Sequence, residues 1–137
     1  MGGNGENRVF EYQPDGTFVA GFPINGASQD GVAFDAERCS FWIFDSGTDS
    51  ARHYFFDGTA MTEQESFPGT SVAGFSNGEG VAVIGDRLYV AGTGPFAVVV
   101  FDVSTAATDA GNPLCPRVFA DDFERGDLSA WSSRATR

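Results

Sequence analysis

Residues 30–59, DGVAFDAERCSFWIFDSGTDSARHYFFDGT, decide the fold class of this chain. They contain three short apolar runs of β-prone residues, at 31–35, 39–45 and 52–57, separated by polar clusters of turn-forming residues. Runs of this length between such clusters are typical of strands joined by tight turns. We therefore expect an antiparallel meander and an all-β fold.

The rest of residues 8–105 repeats this pattern. A further strand is predicted at 62–67, a weaker copy of the meander at 79–103, and an opening hairpin at 8–22, in which FEYQPDGT resembles the later HYFFDGT. The separations of equivalent residues are 42 for Asp15 and Asp57, 49 for Gly31 and Gly80, 47 for Trp42 and Tyr89, and 45 for Asp57 and Asp102. A drifting period of roughly 40 to 50 residues with about four strands per period is typical of propeller blades.

We therefore predict antiparallel four-stranded blades at residues 8–105, about two and a half blades of a β-propeller. Residues 1–7 are predicted to be disordered, and 106–137 to hold a linker, a tail strand at 114–120 and an acidic C-terminal motif. A closed ring needs at least about four blades. Three arrangements stay open: a fragment of a longer propeller, a ring completed by several copies, or a small sandwich. An incomplete ring exposes strand edges and an apolar face, so we expect self-association or the missing blades of a longer chain as the partner.

The blade motifs resemble those of a known superfamily. The pattern GVAFD…FWIFDSGT…YFFDGT, repeated as EGVAV…RLYVAGTG…VVVFD, is similar to the blades of NHL-repeat, YVTN-type and SMP-30/gluconolactonase-like propellers. The resemblance covers about residues 8–105 and implies a propeller fold. In SMP-30-like lactonases, Glu, Asn and Asp hold a channel-mouth metal that polarises the substrate carbonyl. The resemblance therefore implies, as an alternative function, a metal-dependent hydrolase of the lactonase or phosphoesterase kind.

An acidic residue precedes Gly-Val-Ala in both units, Asp30 in the first and Glu79 in the second. Because the first strand of each propeller blade lines the central channel, we expect both carboxylates to face one opening. Asn25 and Asn77 lie in the loops before them, and these side chains offer the oxygen ligands that Ca²⁺ prefers. We predict a channel-mouth ligand site here, with Asp30 and Glu79 as ligands of Ca²⁺ or another divalent cation. The alternative is that both carboxylates cap turns.

Other candidates for catalysis are weaker. Residues 74–78 match the pattern G-x-S-x-G, but that motif needs a helix after the serine, and here a strand is predicted to follow. The only histidine, His53, lies within a predicted strand, where we expect a hydrogen-bonded ring with a structural role. Asp45 and Asp49 flank Ser-Gly-Thr, a turn in which we expect side chains to bond the local backbone. No specific motif places an acid–base pair.

The two cysteines, Cys39 and Cys115, are candidates for a disulfide. Cys39 lies at a predicted hairpin and Cys115 in the tail, so a bridge would attach the tail to the middle blade and close a loop of 76 residues. A loop of this length predicts about 4 kcal/mol of stabilisation. The alternative is two unrelated buried thiols.

Charge and the C-terminus bear on partners and location. The net charge is −11 and there is no lysine, which argues against nucleic acid or an anionic membrane as a partner. The apolar runs are far shorter than the roughly 20 residues of a membrane-spanning helix. Residues 121–132, DDFERGDLSAWS, resemble the FxDGFESGDxSxW motif that ends many exported proteins of Gram-negative bacteria. This resemblance implies an extracellular or periplasmic protein whose signal lies outside this chain; the alternative is an acidic end held by Phe123 and Trp131.

The sequence therefore favours a non-catalytic, ligand- or protein-binding propeller module of an exported bacterial protein. The metal-dependent hydrolase is the alternative.

Overall fold

The computed structural model describes residues 7–68, 76–94, 96–113 and 115. These residues form three antiparallel sheets of two, four and three strands, in which each strand pairs with its neighbours in sequence. The all-β fold predicted from the sequence is confirmed. In chain order the strands are β1 (Arg8–Tyr12), β2 (Phe18–Pro23), β3 (Gln29–Asp35), β4 (Ser40–Asp45), β5 (Ser50–Phe56), β6 (Met61–Pro68), β7 (Ser76–Ile84), β8 (Arg87–Gly94) and β9 (Phe96–Asp102).

The largest differences from the predicted strand limits are in the third sheet. There β7 begins three residues earlier than predicted and β8 ends three residues later. Both extensions contain glycine, which suggested turns, but the backbone ladder continues through the pair Gly78 and Gly92. The predicted tail strand at 114–120 lies outside the described residues except for Cys115, and the C-terminal motif at 121–132 lies wholly outside them.

Two hairpin loops of the four-stranded sheet share one construction. Each has four residues between an aspartate that ends one strand, Asp35 or Asp45, and a serine that begins the next. Each aspartate accepts hydrogen bonds from backbone N–H groups of its own loop. The last loop residue is left-handed, with φ of 53° at Cys39 and 46° at Asp49. The Asp45 loop therefore bonds its local backbone, as the sequence predicts.

The three sheets pack face to face, with the four-stranded sheet in the middle. Side chains alternate along its strands, so one face packs against β7–β9 and the other against the β1–β2 hairpin. The buried residues of the first interface are Trp42, Phe44, Ala51, Leu88, Val90, Val99, Val103 and Ala106. Those of the second are Ile24, Ile43 and Tyr54, with Val9, Phe41 and Met61 packed against them. The middle sheet is thus buried on both faces and contributes to both parts of the core.

The first strands of the two larger sheets, β3 and β7, run side by side. A Cβ atom on Gly31 would lie 3.0 Å from the carbonyl oxygen of Glu79 and 3.1 Å from the backbone nitrogen of Val81. A Cβ on Gly78 would overlap the ring of Phe44. Glycine at these two positions therefore permits the close approach of β7 to the middle sheet.

A buried arginine links the turns of the same two sheets. The guanidinium of Arg38 donates to Oδ2 of Asp35 at 3.1 Å and to the carbonyl oxygen of Gly85 at 3.2 Å, and it pairs with Asp86. Oδ2 of Asp35 also accepts the indole N–H of Trp42 at 3.3 Å. These bonds satisfy a carboxylate that is only 2% exposed and fix the β3–β4 loop against the β7–β8 turn.

A disulfide joins Cys39, in the β3–β4 loop, to Cys115, with the Cα atoms 5.4 Å apart. The segment that leads to Cys115 lies along one end of the middle sheet, since the side-chain amide of Asn112 donates to the carbonyl oxygen of Phe56, the last residue of β5, at 2.6 Å. The backbone N–H of Asp109 donates to the carbonyl oxygen of Arg38 at 3.0 Å. In the part of the chain that the structure describes, there is no helix long and apolar enough to span a membrane.

Candidate functional site

Two of the predicted channel-mouth residues, Asp30 and Glu79, lie on adjacent strands. Asp30 precedes the Gly31 that contacts β7, and Glu79 is on β7 itself. Both carboxylates are exposed. The hydroxyl of Thr93 donates to Oε1 of Glu79 at 3.5 Å. The third residue, Asn77, lies on β7, and its side chain is outside the described part of the structure.

The fourth predicted residue, Asn25, is hydrogen-bonded to the middle sheet. The side-chain amide of Asn25 donates to Oε2 of Glu63 at 2.9 Å. The backbone carbonyl oxygen of Asn25 accepts a hydrogen bond from the hydroxyl of Tyr54 at 3.1 Å. Nη1 of Arg52 also donates to both carboxylate oxygens of Glu63, at 3.0 and 3.2 Å. Burial, together with the nearby Glu63 carboxylate, raises the pKa of Tyr54 well above its usual range. Asn25 therefore fastens the loop after β2 to strands β5 and β6.

Asp45, the last residue of β4, is fully enclosed and has no exposed surface. It accepts the backbone N–H of Ser28 at 2.8 Å and of Ala27 at 3.1 Å, and the hydroxyl of Thr48 at 2.6 Å. Nε of Arg52 lies 3.3 Å away. Burial alone would raise the pKa of Asp45, but the hydrogen bonds from Thr48, Ser28 and Ala27 outweigh it and hold that pKa below its usual value. The carboxylate is thus a structural anion, and it connects two loops that are distant in sequence.

His53 is buried between the middle sheet and β7–β9. Its Nδ1 lies 3.1 Å from Oε1 of Glu65, and among the described residues its buried Nε2 has no hydrogen-bond partner. Burial lowers the pKa of His53, and Glu65 opposes this in part. The predicted structural role agrees with this placement, but only one of the two ring nitrogens is hydrogen-bonded.

Ser76 of the G-x-S-x-G match begins β7, so a strand follows it, as the sequence predicts.

A cavity of about 430 Å³ lies between the β1–β2 hairpin and the middle sheet, beside the disulfide. Most of the described residues in its wall are aromatic or aliphatic, and Glu11 is the one among them that is ionisable. Sequence patterns do not reveal it, because it forms where two strands pack on a sheet of four and leave part of that sheet uncovered. The lining residues are Val9, Phe10, Glu11, Phe22, Phe34, Cys39, Phe41, Phe56, Met61, Asn112 and Cys115.

The predicted metal site can be compared with the needs of Ca²⁺, which takes about six to eight oxygen ligands. Asp30 and Glu79 supply two carboxylates on neighbouring strands. Within the described residues, no group of three or more His, Cys, Asp or Glu side chains is arranged to hold a metal ion. The divalent-cation site therefore stays a prediction, and we derive no catalytic step through it.

Comparison of the sequence with protein-family models gave no match, and comparison with curated proteins gave no similar chain. Function is therefore inferred from the residues and their geometry.

Proposed function

We propose that this chain is a non-catalytic binding module built from propeller-type blades, and that it belongs to an exported bacterial protein. The observation that carries the proposal is the outer face of the β7–β9 sheet, where exposed apolar side chains lie beside the exposed Arg87–Asp102 ion pair. Ile84 is 69% exposed, Val98 61% and Val100 47%. Exposed apolar side chains on one side of a sheet are typical of an interaction site.

The repeat relates this exposed face to a buried one. Tyr89 of β8 is the counterpart of Trp42 of β4, and Tyr89 pairs with Val100 as Trp42 pairs with His53. Trp42 and His53 are fully buried, and their face packs against the β7–β9 sheet. By this equivalence the outer face of β7–β9 is shaped to receive another antiparallel sheet.

A second copy of this chain is the partner that we propose for that face. The β1–β2 hairpin lies on the other side of the middle sheet from β7–β9. On its outward side Tyr12 is 57% exposed and Phe18 is 55% exposed. Their rings lie 5.7 Å apart and form one patch. Contact between the hairpin of one copy and β7–β9 of the next would repeat the sheet stacking within the chain. This head-to-tail geometry closes into a ring or continues as a filament.

Export is supported by the Cys39–Cys115 disulfide, because such bonds persist in extracellular and periplasmic compartments. The alternative function, a metal-dependent hydrolase, is supported by the side-by-side strands of Asp30 and Glu79. In that case Glu79→Gln would abolish turnover of lactones or phosphoesters and leave the fold intact. Equal turnover by both proteins, or none by either, would leave only the binding module.

Light scattering behind a sizing column tests the proposed self-association. We expect the wild-type mass to exceed the 14.5 kDa of one chain and to rise with concentration. Val98→Glu should return the protein to a monomer, because it places a charge on the apolar face. Thr62→Glu adds the same charge at an exposed site on β6 and should assemble like the wild type. A wild-type monomer at every concentration, or equal assembly by Val98→Glu, would refute the proposal.

A further inference from the structure

The cavity between the β1–β2 hairpin and the middle sheet is separate from the exposed faces that the proposed function uses. Its volume of about 430 Å³ lies within the range of roughly 300 to 1000 Å³ that is usual for small-molecule sites. We propose that it binds a small molecule with an aromatic body and a positively charged amine. This inference does not depend on the blades assembling.

Packed aromatic rings form the walls. Phe22 meets Phe56 with the ring centroids 4.7 Å apart and the planes at 66°, and Phe56 meets Phe41 at 6.4 Å and 82°. Phe34 lies 5.0 Å from Phe41. These tilted and edge-to-face contacts are the arrangement that aromatic rings prefer. A flat apolar ligand would add a further ring to an existing cluster.

Covalent and hydrogen-bonded links hold one side of the cavity in place. The Cys39–Cys115 disulfide is part of the wall. Asn112 is also part of it, and its amide donates to the carbonyl oxygen of Phe56 and to Oδ2 of Asp109. A wall that is fixed before binding lowers the entropy that a ligand must lose. The cavity is therefore a preformed site rather than a loose gap between two sheets.

The charge of the ligand follows from Glu11. It is the one ionisable group among the described lining residues, it is exposed, and no described residue pairs with it. The whole chain carries a net charge of −11. A carboxylate ligand would meet repulsion from both, whereas an ammonium group would be attracted by Glu11 and by the faces of the surrounding rings. The site should therefore select amines over alcohols, and alcohols over carboxylates.

Three probes that share one ring system test this order: the amine 2-(1-naphthyl)ethylamine, the alcohol 2-(1-naphthyl)ethanol and the carboxylate of 1-naphthylacetic acid. Met61 lines the cavity and is the one methionine among the described residues. ¹³C-methyl labelling of methionine in the full chain therefore gives a reporter in the site, and Met61→Leu assigns its signal. We expect the Met61 signal to shift on titration, most strongly with the amine.

Glu11→Gln should weaken the amine about two- to fivefold, as for an exposed ion pair, and leave the affinity of the alcohol unchanged. Asp102→Asn removes the same charge from the third sheet and should change neither. An unmoved Met61 signal with all three probes would overturn the site. Equal affinities, or tightest binding of the carboxylate, would overturn the proposed ligand chemistry.

Discussion

The imidazole of His53 stacks on the indole of Trp42, with the ring centroids 4.3 Å apart and the planes inclined by only 12°. The two residues are opposite each other on β5 and β4, and neither is exposed to solvent. A titratable ring thus lies at the centre of the interface between the middle sheet and β7–β9. The only acceptor near Nδ1 among the described residues is Glu65. The neutral ring therefore carries its proton on Nδ1, and Nε2 has neither a proton nor a hydrogen-bond partner among the described residues.

Protonation of His53 should destabilise the fold, because it would add a buried N–H at Nε2 that no described residue can accept. Burial lowers the pKa of His53 in the folded chain from its ordinary value of 6.5. As the pH falls through 6.5, the unfolded chain takes up the proton first, so stability is lost from about pH 7 downward until the lowered folded pKa is reached. Urea unfolding of the wild type at intervals from pH 7.5 to 5 should show this decline.

His53→Gln is the matched variant for that experiment, since it keeps a polar side chain but cannot titrate in this range. It should be less stable than the wild type at pH 7.5, and its stability should change less between pH 7 and 5. Glu65, Asp35 and Arg38 are the charged groups that act on the ring. The same pH dependence in both proteins would show that His53 is not the responsible group.

Asp45→Asn should be among the most destabilising single polar substitutions in the described residues. The change removes the charge that four backbone and side-chain donors and Arg52 surround. Hydrogen bonds to a charged group contribute about 1.5 to 3 kcal/mol each, so we expect a loss of about 2 to 4 kcal/mol after the remaining bonds adjust. Chemical unfolding at pH 7 measures it.

Asp57→Asn provides the control for Asp45. Asp57 makes a comparable set of turn hydrogen bonds, to Thr59 and Ala60, but is exposed. Water can replace the bonds it loses, so its substitution should cost clearly less. If the two variants lost equal stability, burial would not explain the role of Asp45.

Asp45 also shows how far the sequence could predict this molecule. Its bonds within the loop follow from the local pattern Asp-Ser-Gly-Thr, and the strands follow from alternating apolar runs. The bonds to Ala27 and Ser28 join residues that lie 18 and 17 positions away, and only the packing of β2, β3 and β4 brings them together. The cavity, the Arg38 link between sheets and the pairing of Asn25 with Glu63 have the same origin, so no local motif predicts them.

Gly78→Ala should destabilise the contact between β7 and the middle sheet. The new methyl group would overlap the ring of Phe44, which is fully buried. Overpacking of this kind costs about 1 to 3 kcal/mol. Gly80→Ala is the control two residues along the same strand, where the methyl group would meet only the Cβ of Ala91, at 3.6 Å.

Gly80→Ala should be neutral or slightly stabilising, because alanine restricts the unfolded chain more than glycine does. Thermal unfolding of the two variants beside the wild type tests the pair. Equal loss in both would mean that glycine is needed along β7 for its backbone and not for the approach to Phe44.

Loss of the Cys39–Cys115 disulfide should lower the free energy of unfolding by about 2 to 4 kcal/mol. The bridge closes a loop of 76 residues, and closing a loop of this length predicts a stabilisation of at most about 4 kcal/mol. The double variant Cys39→Ser/Cys115→Ser measures the loss by urea unfolding. The wild type in reductant should match the double variant, and reductant should not affect the double variant itself. Unchanged stability after reduction would mean that the hydrogen bonds from Asp109 and Asn112 hold this segment without the disulfide.

The bridge is also part of the cavity wall. The double variant should therefore bind the naphthyl amine more weakly than the wild type does.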